Sequence, residues 1–255
     1  MAGVKSVLAH LTGKHARIRP VPRKVALVGT AVVIAALVVL NLAKNLLPWA
    51  GVSVSVVAAA GLLLFARRHG LSWAQLGLGR DRLRSGLLWG LAAIAIVIGI
   101  YVIGVSLPMT RSLFLDARYH SGVSQALLTA FVLIPLGTIL LEEVAFRSVL
   151  WGMLSRHMTA WRVLLTSSAL FGLWHVLPSL QVTGANQGLS DVVSSQSPWT
   201  TVLVVAGTVA FTAVGGIVAG ELRRRSGSVL ASAGMHWATN SLGVLFGLVA
   251  WQLAA

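Results

Sequence analysis

Apolar runs of 18 to 25 residues recur along the chain, among them 25–43 and 86–107. Written as a helix, a run of that length crosses a hydrocarbon core of about 30 Å. Hydrophobic residues make up 56% of the chain and charged residues only 10%, with a mean hydropathy of +0.85. A soluble domain carries about 25% charged residues and shorter apolar runs. The chain is therefore expected to be all-α, a polytopic transmembrane helical bundle of seven to eight spans.

A basic segment, 1–24, leads into a transmembrane domain, 25–255, with spans expected at 25–43, 50–66, 86–107, 125–154, 161–177, 199–221 and 228–253. The first run is too long for a signal peptide and is followed by further spans, so it reads as a retained helix. Residues 68–86 form a basic connector with a short amphipathic character, and 178–198 form a polar loop rich in Ser, Gln, Gly and Pro. With the N-terminus inside, the segments 1–24, 67–84, 155–162 and 222–227 hold sixteen Lys and Arg residues, whereas the outer segments hold Lys44, Arg111 and Arg118. That bias fits the positive-inside rule and predicts a cytoplasmic N-terminus. It also accounts for the net charge of +14 without a nucleic-acid partner. No eukaryotic targeting signal is visible, so the expected location is the plasma membrane. The absence of Cys removes disulfides, Cys metal sites and a Cys nucleophile.

Ionisable side chains inside a bilayer cost at least ~2.5–3.5 kcal/mol each on insertion scales, which makes them functional candidates. The span map leaves Glu142, Glu143, Arg147, His175 and His236, together with the amide Asn240. Glu143 and Arg147 are four residues apart and share a helix face, so they can form an ion pair. Glu142 is turned ~100° from Glu143 and must find a partner on another span or take up a proton. Pro135 and Gly137 lie upstream, where they can bend the helix and open a cavity beside the glutamates. Phe171 stands four residues before His175, and His236 four before Asn240. At 1.5 Å per residue, Glu142, His175 and Asn240 lie roughly 18–21 Å from the inner ends of their spans, and His236 roughly 12 Å. Trp174 and Trp237 adjoin the two histidines and read first as packing residues.

A carboxylate and an imidazole together can activate water, the carboxylate acting as general base. A second His and an Asn can donate hydrogen bonds to the oxyanion of a tetrahedral intermediate. This is amide-bond hydrolysis without a Ser or Cys nucleophile. Two His and one Glu also make a zinc set, which would be Glu142, His175 and His236, but no HExxH segment holds them in that geometry. The metal-free mechanism is the expectation, with no cofactor, and zinc is the alternative. Two other functions use the same residues. In a non-catalytic scaffold, or an immunity or sorting protein, they only lock helices together. A small-molecule or proton transporter also uses buried carboxylates and histidines, but the sequence has no paired broken halves of the transporter kind.

The segments "EEVAFR" (142–147), "FGLWH" (171–175) and "HWATN" (236–240) resemble the EExxxR, FxxxH and HxxxN motifs of the CPBP family. That family comprises the type II CAAX prenyl endopeptidases, the Ras-converting enzymes and their bacterial Abi relatives. The resemblance extends over about 140–240 and implies a catalytic core at about 125–250. It implies Glu142 as the base that activates water, His175 assisting it, and His236 with Asn240 as the oxyanion hole. Glu143, Arg147 and Phe171 are implied as supporting residues, and eight helices as the span number. The implied substrate is a membrane-associated peptide or protein.

Overall fold

The structure, a computed structural model, describes residues 22–117, 122–180 and 198–254. Most of the basic segment 1–24, Arg118 and most of the polar loop 178–198 lie outside the described residues.

Six helices are long and apolar enough to cross a membrane: α1 Arg23–Leu46, α2 Pro48–Arg68, α3 Arg80–Ser106, α4 Val123–Leu154, α5 Ala160–Ser179 and α6 Trp199–Ser226. A seventh helical run, α7, occupies 229–254 and contains no Asp, Glu, Lys or Arg. No strand occurs among the described residues. Between α3 and α4 the described residues include the four-residue helix Pro108–Arg111 and a turn at Ser112–Phe114.

α4 is the axis of the bundle. Every residue from 141 to 154 is buried, the charged Glu142, Glu143 and Arg147 among them. Val33 and Leu37 of α1, Ala59 and Leu62 of α2, and Val163 and Leu164 of α5 pack with its Leu141, Ala145, Val149 and Met153. Small residues bring the remaining helices close. A Cβ on Gly90 of α3 would stand 3.1 Å from the Leu230 carbonyl oxygen, and one on Gly234 of α7 would stand 3.0 Å from the Gly90 Cα. Association in lipid depends on such close backbone approach. Gly90→Val is therefore expected to push α7 off α3 and cost about 1–3 kcal/mol, the usual range for overpacking. A lower unfolding midpoint in detergent would record it.

The helical ladder is irregular in the two helices that carry most of the candidate polar residues. Wider π turns occur at Thr129–Leu133, Pro135–Ile139 and Glu143–Leu150 of α4, and at Ala238–Leu242 of α7. Pro135 has no N–H to give its own turn. The Gly137 carbonyl inside this stretch accepts hydrogen bonds from Lys44 Nζ at 2.7 Å and Ser55 Oγ at 2.6 Å. Pro178 likewise lacks the N–H that the Trp174 carbonyl would otherwise receive. Asn41 Nδ2 supplies that bond instead, at 2.6 Å. Backbone groups released in lipid must be paired by neighbouring side chains, and here they are.

The basic end of the bundle is closed by the connector between α2 and α3. Leu71 and Leu76 are fully buried there. Arg156 donates to the His69 carbonyl at 2.7 Å, and Arg223 donates to the carbonyls of Gln75 and Arg147, each at 3.1 Å. Val229 N–H, at the start of α7, donates to the Gly77 carbonyl at 3.0 Å. Gly77 has φ +74°, and the Arg223 guanidinium occupies the place a Cβ would take. Glycine meets both demands.

Candidate active site

All seven candidates identified in the sequence lie in or against one region of the bundle. Glu142 lines a cavity of about 760 Å³ together with His175 and Asn240. Glu143, Arg147 and His236 are buried beside it, with Phe171 packed among them.

Glu142 is 4% exposed. Its Oε1 accepts a hydrogen bond from Trp174 Nε1 at 3.0 Å. Its Oε2 has no hydrogen-bond partner among the described residues and lies 3.6 Å from His236 Nε2. The partner expected on another span thus exists, but it is the indole of Trp174 on α5. The imidazole nearest the carboxylate is that of His236. His175 turns its Nδ1 to the Phe171 carbonyl at 2.8 Å and reaches the same cavity from the end of α5.

Glu143 points the other way. Its Oε1 lies 2.9 Å from His236 Nδ1 and 3.6 Å from Arg147 Nη1. The i, i+4 pair expected from sequence is present, and His236 joins it from α7. A carboxylate on Nδ1 fixes the ring so that Nδ1 carries the proton and Nε2 faces Glu142. His236 therefore sits between the two glutamates, one oriented by Arg147 and the other at the cavity wall. Phe171 holds three of these groups at once. Its ring lies 3.9 Å under the Arg147 guanidinium, 4.7 Å from the His175 ring and 6.0 Å from the His236 ring, the two histidines edge-on. A cation over an aromatic face is attracted by the ring quadrupole, more so where water is excluded.

Two residues that line the cavity were not singled out as candidates. Trp174 was read as packing, yet it is the direct donor to Glu142. Trp174→Phe keeps most of the ring and removes the N–H. Hydrogen bonds to charged groups are worth about 1.5–3 kcal/mol, so a stability loss of that order is expected from thermal unfolding. Lys44, counted in the sequence as a topology signal, lines the cavity as well. Trp237, by contrast, donates to the Ala130 carbonyl at 3.2 Å and packs α7 on α4.

Among the described residues no three His, Asp or Glu side chains converge into a metal-ligand set. Glu142, His175 and His236 do not form such a set in this structure.

Residues 124–242 match the family model described as type II CAAX prenyl endopeptidase Rce1-like. This stretch, just under half of the chain, is similar to the Rce1-like family. The match spans α4, α5, α6 and the part of α7 that carries His236 and Asn240, and so includes all three motifs. The resemblance drawn from "EEVAFR", "FGLWH" and "HWATN" is borne out, and at family level the activity is that of a CAAX-type protease. No curated protein and no solved structure matches the chain. The Rce1-like core is thus also the part of the bundle that walls the cavity, with α1, α3 and the 113–116 segment completing it.

Proposed function

We propose that the chain is an intramembrane endopeptidase in which Glu142, assisted by His175, activates water for attack on a peptide carbonyl. His236 and Asn240 stabilise the oxyanion. The observation that carries this reading is the position of Glu142: a buried carboxylate at a cavity wall, one oxygen held by Trp174 and the other without a hydrogen-bond partner among the described residues. A carboxylate at a cavity wall can take the proton from a water bound in the cavity. The hydroxide adds to the scissile carbonyl, and the proton passes from Glu142 to the leaving amine as the C–N bond breaks. With Nδ1–H committed to Glu143, His236 presents Nε2 to the reacting centre. In its protonated form it donates there, and the Asn240 amide supplies a second donor. The protein is proposed to lie in the plasma membrane with its N-terminus in the cytoplasm, to need no cofactor, and to act on a membrane-associated peptide or protein.

A scaffold role is the second reading, favoured by the Glu143–Arg147–His236 network that ties α4 to α7. One comparison separates the two. Membrane proteomes of cells carrying the wild-type chain or Glu142→Gln should differ by an uncleaved precursor in the variant, with both chains equally abundant. A proteome that changes only with the amount of the chain supports the scaffold instead.

A further inference from the structure

The cavity and the positive charge occupy opposite ends of the bundle. Twelve of the fifteen described Lys and Arg residues stand at one end, on 23–24, 67–68, 80–84, 156–162 and 223–225. Lys44 and Arg111 stand at the other, and Arg147 is buried between them. The basic end is the sealed one. There the 69–82 connector receives hydrogen bonds from Arg156, Arg223 and Val229 N–H, and no residue of that connector lines the cavity. The cavity instead rises from Glu142 past Asn41 and Lys44, near the end of α1, and past His175 and Pro178, near the end of α5. It reaches Phe114 on the 107–122 connection between α3 and α4. All of these lie towards the end of the bundle that holds few basic residues.

Lys and Arg near span ends are retained on the cytoplasmic side. We propose that the cavity opens on the non-cytoplasmic face of the membrane, and that its substrates present their scissile bond there. These are exported segments of membrane-anchored proteins or peptides, not the cytoplasmic C-termini of prenylated proteins. The substrate class rests on the peptidase reading given above. The direction of opening rests only on where the cavity and the charges lie.

The chain has no Cys, so single cysteines report access without a background. Asn45→Cys places a thiol on the cavity wall. Met109→Cys, at a residue 84% exposed, marks the same end without entering the cavity. Ala74→Cys marks the exposed surface of the basic connector. The full chain would be expressed in intact bacterial cells and treated with a membrane-impermeant maleimide before and after permeabilisation. Asn45→Cys and Met109→Cys are expected to label in intact cells, and Ala74→Cys only after permeabilisation. The reverse pattern, or labelling of all three from one side, overturns the proposal. If Asn45→Cys fails to insert, Met109→Cys still reports which end faces out. Because labelling needs no substrate, the direction can fail while the peptidase reading stands, and a catalytically silent protein would still report its direction.

Discussion

Glu142→Gln is expected to lower peptide hydrolysis by about 10²–10⁴-fold, the usual contribution of a positioned general base, while the protein remains folded. The substitution preserves shape. The amide oxygen can still accept from Trp174 Nε1, which now bonds Oε1 at 3.0 Å, and no cavity is left in the fully buried 141–154 stretch of α4. What disappears is the ability to accept a proton at the oxygen that faces His236 Nε2. The rate would be read from conversion of the precursor that accumulates in the variant, in membranes containing equal amounts of each chain. The unfolding midpoint of both chains would be measured beside it. Undiminished turnover would remove Glu142 from the mechanism. Parallel loss of turnover and folded protein would assign it to structure.

What the sequence made legible was what helical periodicity controls locally. Apolar runs located the helices, and four-residue spacing brought Glu143 to Arg147 and Phe171 to His175, at 3.6 Å and 4.7 Å in the structure. Contacts between helices follow no such spacing. Trp174 donates to Glu142 across 32 residues and His236 binds Glu143 across 93. The signal for His236 was its depth. At 1.5 Å per residue it lies roughly 12 Å from the inner end of its span, the same depth as Arg147 and one turn below Asn240. The π turns and the carbonyl they expose at Gly137 explain Lys44, whose amine is drawn inward to a backbone acceptor. A charge count at span ends assigns it only to the outer surface. The connector 68–86 was legible as basic and amphipathic. That Leu71 and Leu76 are buried, and that Gly77 admits Arg223, depends on what packs beneath it.

Arg147→Ala is expected to be the most destabilising single change in the core, at about 3–5 kcal/mol, because it removes one partner of a buried ion pair. Both side chains of that pair are 3% exposed. Without Arg147, the Glu143 carboxylate is left with the His236 Nδ1–H and no guanidinium beside it, and Phe171 loses the guanidinium 3.9 Å above its ring. Phe171 in turn contacts both histidines, so the damage extends to the cavity wall. Removing both charges at once should do less harm. In the double variant Glu143→Gln/Arg147→Met, the amide oxygen introduced in place of the carboxylate still accepts from His236 Nδ1, and the methionine side chain fills much of the space beside Phe171. Replacing a buried ion pair by neutral groups of similar volume is often neutral in stability, and contacting pairs show couplings of about 0.5–3 kcal/mol. The double variant is therefore expected to unfold at a higher temperature than Arg147→Ala, with turnover still low because His236 has lost its carboxylate. Unfolding midpoints of the wild type, Arg147→Ala, Glu143→Gln and the double variant in one detergent, with hydrolysis measured on each, make the comparison. A double variant no more stable than Arg147→Ala would deny the coupling. One that is stable and hydrolyses at the wild-type rate would make Glu143 a counter-ion for Arg147 alone, with no part in aiming His236 at the reacting centre.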